Sequence, residues 1–257
     1  MLLAIDVGNT NMVIGIYEDG KLLHHWRMET KKERTADEFG IFFKELLQFA
    51  NLKMTDVDHI IISNVVPPLE FALTRMSDRY FGVKPIFVRA QLKLPIKIGL
   101  KIPEEVGADR LVNAVGAIYK YKGALIIIDF GTATTFDFIS ANRLYKGGCI
   151  APGIAISNEA LYQNASKLPR VEIARPKKVI GTTTIESMQA GVFFGYLGLI
   201  DETVRRIQRE VKVKTTVIAT GGFTSLFAKE SKTIQHVEPF LTLDGLLHIF
   251  NYLRAKK

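Results

Sequence analysis

The run Leu2-Leu3-Ala4-Ile5-Asp6-Val7-Gly8-Asn9-Thr10 returns near the middle of the chain as Leu125-Ile126-Ile127-Ile128-Asp129-Phe130-Gly131-Thr132-Ala133-Thr134. Each copy is a short apolar run that stops at Asp-x-Gly, passes through small hydroxyl or amide residues, and resumes as a second apolar run, Met12 to Tyr17 and Phe136 to Ile139. The pattern reads as strand, tight turn, strand. Asp6 and Asp129 lie 129 − 6 = 123 residues apart, almost half of the 257-residue chain. The two halves are therefore expected to carry equivalent turns that face each other, and two acidic, glycine-bearing turns across a cleft suit a metal-nucleotide.

This length accommodates two domains of about 100 to 150 residues each, expected at residues 1–120 and 121–257. An apolar share of 47% with 23% charged residues argues for a globular chain and against long disorder. No segment approaches the roughly 18 uninterrupted apolar residues of a membrane span. The first apolar run lacks a leading basic region and is broken by Asp6, so it reads as a strand rather than a signal peptide, and a cytoplasmic location is expected. Cys149 has no second cysteine to pair with, and a buried packing role is expected for it. The five histidines, His24, His25, His59, His236 and His248, show no ligand-like spacing. The formal charge of +8 is scattered, with short clusters only at Lys31-Lys32, Lys177-Lys178 and Lys256-Lys257. That distribution favours anionic small molecules over nucleic acid.

Strands are expected at residues 2–6, 12–17 and 21–27, then a helix opened by the capping-box spacing of Thr35-Ala36-Asp37-Glu38. A buried strand at 58–65, a helix after Pro67-Pro68 and a short strand at 85–88 precede an irregular stretch, 92–106. The next helix runs from about Ala108 to Tyr121 and is ended by Gly123. In the second half, a strand at 144–150 leads to a helix from Ile154, a basic and proline-bearing linker at 168–179, and a long helix from about Thr184 to Glu210. Gly191, Gly195 and Gly198 sit in that helix despite a cost of about 1 kcal/mol each. Close helix contact would explain them, within one chain or at a dimer seam. A strand at 216–220 ends at Gly221-Gly222, and a last helix spans about Thr242 to Arg254. Together these imply two α/β domains, each a mixed sheet flanked by helices, with the site in their shared cleft.

In Asp6-Val7-Gly8-Asn9-Thr10-Asn11, glycine lets the backbone approach a ligand, and turn N–H groups with the Asn and Thr side chains can donate to phosphate. The Asp6 carboxylate is better used on a hydrated divalent cation than on a phosphate it would repel. No Gly-x-x-x-x-Gly-Lys-Ser/Thr and no Gly-x-Gly-x-x-Gly after a strand occurs, which argues against P-loop and dinucleotide folds. Ala219-Thr220-Gly221-Gly222 suits either a tight turn or a seat for a base or ribose. Gly107-Ala108-Asp109-Arg110 opens a helix: Asp109 can cap it or serve as a base, and Arg110 can orient an anionic acceptor.

These residues, in this order, resemble the type III pantothenate kinases, members of the acetate kinase, sugar kinase, Hsp70 and actin superfamily. The resemblance runs essentially end to end. Asp6 to Asn11 is similar to the family's first phosphate motif, Gly107 to Arg110 to its pantothenate motif, Asp129 to Thr134 to its second phosphate motif, and Thr220-Gly221-Gly222 to its adenosine motif. The resemblance implies two ribonuclease H-like (actin-like ATPase) domains and a kinase that transfers the ATP γ-phosphate to pantothenate, the first step of coenzyme A biosynthesis. It implies that Asp6, Val7, Gly8, Asn9, Thr10, Asn11, Met12 and Val13 hold ATP phosphates, that Thr132 contacts ATP, and that Gly221 and Gly222 meet the adenosine.

By the same resemblance Asp109 accepts the proton of the pantothenate hydroxyl, and Gly107, Ala108, Asp109 and Arg110 line the pantothenate site with Thr184. Asp129 holds K⁺ or NH₄⁺, and Mg²⁺ accompanies the nucleotide, reached by Asp6 through water. A neighbouring threonine, Thr183, has the spacing to cap the long helix ahead of Glu186. The family forms homodimers whose pantothenate site draws on both subunits. Leu100-Lys101-Ile102-Pro103 departs from the family's aromatic and polar pattern ahead of Glu104, so that part of the acceptor pocket is expected to differ. The alternatives are another phosphotransferase or phosphatase of the superfamily, or a regulatory protein that binds nucleotide without catalysis.

Overall fold

The structure is a computed structural model that describes residues 1–256; Lys257, the last of the basic residues noted above, lies outside the described residues. The chain forms two compact units. The first comprises residues 1–119 together with the C-terminal helix, and the second comprises residues 120–240.

In the first unit, β1 (Leu2–Val7), β2 (Asn11–Glu18) and β3 (Lys21–Glu29) form an antiparallel meander, and β4 (His59–Asn64) and β5 (Ile86–Phe87) add in parallel on the other side of β1. The strand order is β3-β2-β1-β4-β5. Leu3, Ile5 and Val7 share a sheet face with Ile60 and Ile62, and this face packs on Phe39, Phe43 and Leu47 of α1 (Ala36–Phe49) and Leu69, Leu73 and Met76 of α2 (Leu69–Met76). Each such side chain withdrawn from water contributes roughly 1.5–3 kcal/mol. The expected capping box is present: the Glu38 amide donates to Thr35 Oγ1, and the Thr35 amide donates to Glu38 Oε2. A two-residue strand, β6 (Lys97–Ile98), interrupts the stretch before α3 (Ala108–Lys120).

A division at residue 120 places the last helix, α7 (Leu241–Arg254), in the second half, whereas it packs with the first. The reason is a close crossing with α3 at two glycines. A Cβ on Gly116 would stand 2.5 Å from the Leu241 carbonyl oxygen, and one on Gly245 would stand 2.1 Å from that of Val112. Leu243 of α7 also lies over Gly15 of β2, and the Tyr17 hydroxyl donates to Asp244 Oδ1 at 2.9 Å.

The second unit repeats the topology. β7 (Ala124–Phe130), β8 (Ala133–Ile139) and β9 (Leu144–Pro152) form the meander, and β10 (Thr215–Gly221) and β11 (His236–Val237) add in parallel beside β7, giving the order β11-β10-β7-β8-β9. Its helices are α4 (Ile154–Asn164), the 28-residue α5 (Thr184–Val211) and the single-turn α6 (Thr224–Phe227). Phe193, Ile200 and Val204 of α5 pack on Ile126, Ile128 and Phe130 of β7, with Phe227 stacked between Phe130 and Phe193.

One expectation fails here, and one of two alternatives is removed. Cys149 is exposed rather than buried, because α4 and α5 pack on β8 and leave residues 148–150 of β9 uncovered. The α5 glycines do not serve close packing within the chain: a Cβ on Gly191, Gly195 or Gly198 would meet no atom within 4 Å. No helix among the described residues is long and apolar enough to cross a membrane.

Candidate functional site

In the first unit the chain leaves β1 at Val7 and turns through Gly8, whose amide donates to the Asn11 carbonyl oxygen at 3.0 Å. A Cβ on Gly8 would stand 2.9 Å from that same oxygen, so the turn closes this tightly only with glycine. Thr30, at the end of β3, braces the turn from outside. Its amide donates to the Thr10 carbonyl at 3.0 Å and its hydroxyl to the Gly8 carbonyl at 2.7 Å. Asn9, Thr10 and Asn11 are left exposed, while the side chains of Val7 and Met12 are buried in the core. Any contact that Val7 or Met12 makes with a ligand therefore runs through backbone.

Gly107 precedes α3 and accepts its first intrahelical bond, from the Leu111 amide at 3.3 Å. The Asp109 carboxylate folds back over this first turn, where Oδ1 accepts the Arg110 amide at 2.8 Å. A Cβ on residue 107 would lie 2.4 Å from that oxygen. Glycine here makes the space the carboxylate occupies. Capping and chemistry are compatible, because a carboxylate held by a helix N-terminus keeps lone pairs for a proton. Ala108 is buried, and Asp109 and Arg110 are half-buried.

The second unit brings two of its motifs together. Thr220 and Gly221 of β10 pair with Asp129 and Phe130 of β7, and the Gly222 amide donates to the Phe130 carbonyl at 3.2 Å. Gly221 has φ +95°, and a Cβ there would stand 2.7 Å from Asp129 Oδ1 and from the Phe130 amide nitrogen. The glycine pair is thus a close-approach element against the acidic turn. Thr132 is exposed at the turn's tip, and its carbonyl accepts the Gly153 amide at 3.1 Å. A Cβ on Gly153 would overlap that carbonyl at 2.2 Å. From α5, the Tyr196 hydroxyl bonds Thr134 and donates to the Pro152 carbonyl at 3.1 Å. Thr30, Gly153 and Tyr196 shape the two turns yet are silent in the sequence, since only strand register and the packing of α5 bring them there.

Thr184 stands elsewhere in this unit, on the wall of a pocket of about 610 Å³ beside Leu161, Leu168, Thr182, Thr183 and Met188. Its neighbours cap the helix. The Glu186 amide donates to Thr183 Oγ1, and the Glu186 carboxylate accepts from the Thr182 amide and hydroxyl at 2.8 and 2.7 Å. Those Thr182 hydrogen bonds hold the Glu186 carboxyl below its usual range. The Thr184 hydroxyl takes no part in that cap. Thr184 and Tyr196 are 12 residues apart on one helix, about 18 Å at the α-helical rise. The pocket itself runs along α5 past Met188 to Gly191 and Val192, one turn short of Tyr196.

The donor set fits a hydrated cation with a nucleotide. Each turn offers one carboxylate beside a backbone stripped of Cβ atoms, the arrangement for Mg²⁺, which is held by one or two carboxylates, phosphates and water. Two sheets of this topology with an Asp-x-Gly turn after the first strand define the actin-like ATPase class of fold. A solved structure described as a Baf family transcriptional activator from Campylobacter jejuni has the same fold, with TM-score 0.61 at 20% identity, covering 98% of this chain and 99% of that one.

A family model for type III pantothenate kinase matches residues 2–206. A type III pantothenate kinase of Bacillus cytotoxicus is 50% identical, over 97% of this chain and 95% of that protein. One from Geobacter sulfurreducens is 54% identical, over 96% of each. The chain belongs to the type III pantothenate kinase family.

Proposed function

We propose that this protein is a cytoplasmic, ATP-dependent pantothenate kinase that makes 4′-phosphopantothenate, opening coenzyme A biosynthesis. The observation that carries the reading is the pairing of Gly107 with Asp109, where a missing Cβ lets a carboxylate occupy a defined place at a helix start next to Arg110. In this reading Asp109 accepts the proton of the primary hydroxyl as that oxygen bonds the γ-phosphorus and the bond to the leaving ADP breaks. Arg110 holds the pantothenate carboxylate as a charge-assisted partner. Phosphoryl transfer needs mainly alignment and charge neutralisation, and a fixed base with a fixed anion clamp supplies the alignment.

The exposed turn Asn9-Thr10-Asn11 and Thr132 hold ATP phosphates, and Gly221-Gly222 give the adenosine a surface without side chains. Mg²⁺, when bound, neutralises phosphate charge; Asp6 is the side chain that would hold it through water. Asp129 is the residue that would hold K⁺ or NH₄⁺. Thr184, exposed at the start of α5, is the residue that would contact pantothenate from this helix, in a homodimer whose acceptor site draws on both subunits. The open, side-chain-free line of Gly191, Gly195 and Gly198 supports the same helix as the seam. The test is ADP release with ATP, Mg²⁺ and pantothenate, with and without K⁺, and the product identified by mass. Folded, nucleotide-binding protein that makes no phosphopantothenate would overturn the proposal.

A further inference from the structure

Asp6 and Ser63 are partners in the parallel ladder between β1 and β4, each the penultimate residue of its strand. Because side chains alternate along a strand, and Leu3, Ile5, Val7, Ile60 and Ile62 face α1 and α2, Asp6 and Ser63 stand together on the opposite face. Ser63 is 0% exposed and its hydroxyl makes no hydrogen bond to any described residue. A buried hydroxyl without a partner is costly and rare, and an apolar residue would fit a merely structural position better. The backbones of neighbouring strands are about 4.8 Å apart, which brings the side chains of register partners within reach of each other. The Ser63 hydroxyl is therefore placed to donate to the Asp6 carboxylate.

The second unit makes the same pairing. Asp129 of β7 is in register with Thr220 of β10, again an acid on the first strand beside a buried hydroxyl residue on its parallel neighbour, and again on the face turned away from the α5 core. Two sheets of one topology thus place a hydroxyl beside each acid at the carboxyl ends of parallel strands, where α/β sheets bind ligands.

We infer that Ser63 is a positioning residue of the nucleotide site, whose hydroxyl donates to the Asp6 carboxylate and so orients it toward the water shell of the nucleotide's divalent cation. The inference rests on the nucleotide half of the proposed function. Two readouts test it in the full-length protein. One is the Mg²⁺ concentration for half-maximal phosphopantothenate formation at saturating ATP. The other, independent of turnover, is calorimetric affinity for ADP with and without Mg²⁺, alongside the melting temperature of ligand-free protein.

Ser63→Ala is expected to raise the half-saturating Mg²⁺ concentration and to weaken Mg·ADP binding about three- to tenfold, the worth of one hydrogen bond. Metal-free ADP binding and ligand-free melting should be undiminished, and Ser63→Thr, which keeps the hydroxyl, should stay close to the unmodified protein. An unchanged Mg²⁺ dependence in Ser63→Ala overturns the inference. So does a lower ligand-free melting temperature with equal losses in metal-free and Mg²⁺-bound ADP affinity, which would make the hydroxyl a fold element. Because the calorimetric arm needs no acceptor, a protein inactive on pantothenate would defeat the proposed reaction while leaving this inference to be decided by ADP alone.

Discussion

The carboxylate of Asp109 occupies the volume that a side chain on Gly107 would fill, with Oδ1 2.4 Å from the position of that absent Cβ. The proposed base and the glycine are therefore one device. Gly107→Ala should push the carboxylate off the first turn of α3 and lower kcat by about 100-fold, the scale of an ångström-sized misplacement, while the melting temperature changes little. Asp109→Asn should lower kcat at least as much with the fold intact. Steady-state kinetics beside thermal melting decides: near-normal turnover in Gly107→Ala would show that the space is not what positions the base.

Gly221 meets Asp129 with a left-handed backbone and no room for a methyl group. Gly221→Ala combines an unfavourable φ with overpacking, and should reduce stability by about 2–4 kcal/mol. Because the displaced atoms belong to Asp129 and Phe130, ADP affinity and the K⁺ requirement should worsen together. Denaturant melts with K⁺ titrations measure both. A destabilised variant with normal K⁺ dependence would detach Asp129 from the cation role.

Much of this was legible in the sequence because the chain repeats itself. The echoed Asp-x-Gly segments forecast two strand-turn-strand openings, and Thr35 and Thr183 announced their helices through local hydrogen-bond chemistry that needs no tertiary context. Ser63, Thr30, Gly153 and Tyr196 were illegible for the converse reason: each earns its place only from a partner distant in sequence. The return of α7 to the first unit likewise depends on Gly116 and Gly245, which read as ordinary helix glycines until α3 and α7 cross there. Cys149 misled because cysteine's preference for burial says nothing about which strand the helices cover.

Two tyrosines tie late segments of the chain to early ones of the same unit, and both set an alkaline limit. Burial first, then the facing Asp244 carboxylate, pushes the Tyr17 phenol well above its ordinary range. Burial, then the hydrogen bond to Glu238, raises Tyr121 to about 12. A phenol whose folded pKa exceeds its unfolded value of 10.0 gives stability that is complete below pH 10.0 and lost as pH rises through the folded value. Melting temperature should therefore fall from about pH 10 upward, and Glu238→Gln should shift the Tyr121 absorbance titration to lower pH. At neutral pH, Tyr17→Phe should cost about 1 kcal/mol by removing one donor from the half-buried Asp244 carboxylate. A Tyr17→Phe melt matching the unmodified protein would mean that water replaces the hydroxyl.

The glycines of α5 offer a test in which stability and assembly move in opposite directions. Gly191, Gly195 and Gly198 are exposed, and methyl groups there would touch nothing in the chain. In an isolated subunit, replacing all three by alanine should strengthen the helix by up to about 1 kcal/mol per site. If α5 instead meets its copy across a dimer seam, the same three methyl groups keep the two backbones apart and the dimer weakens. Sedimentation of the triple variant should then show monomers at concentrations where the unmodified protein is dimeric, with the apparent KM for pantothenate raised because Thr184 no longer reaches the acceptor. A variant that melts higher, keeps its mass and keeps its KM would place the seam elsewhere and return Thr184 to its own subunit.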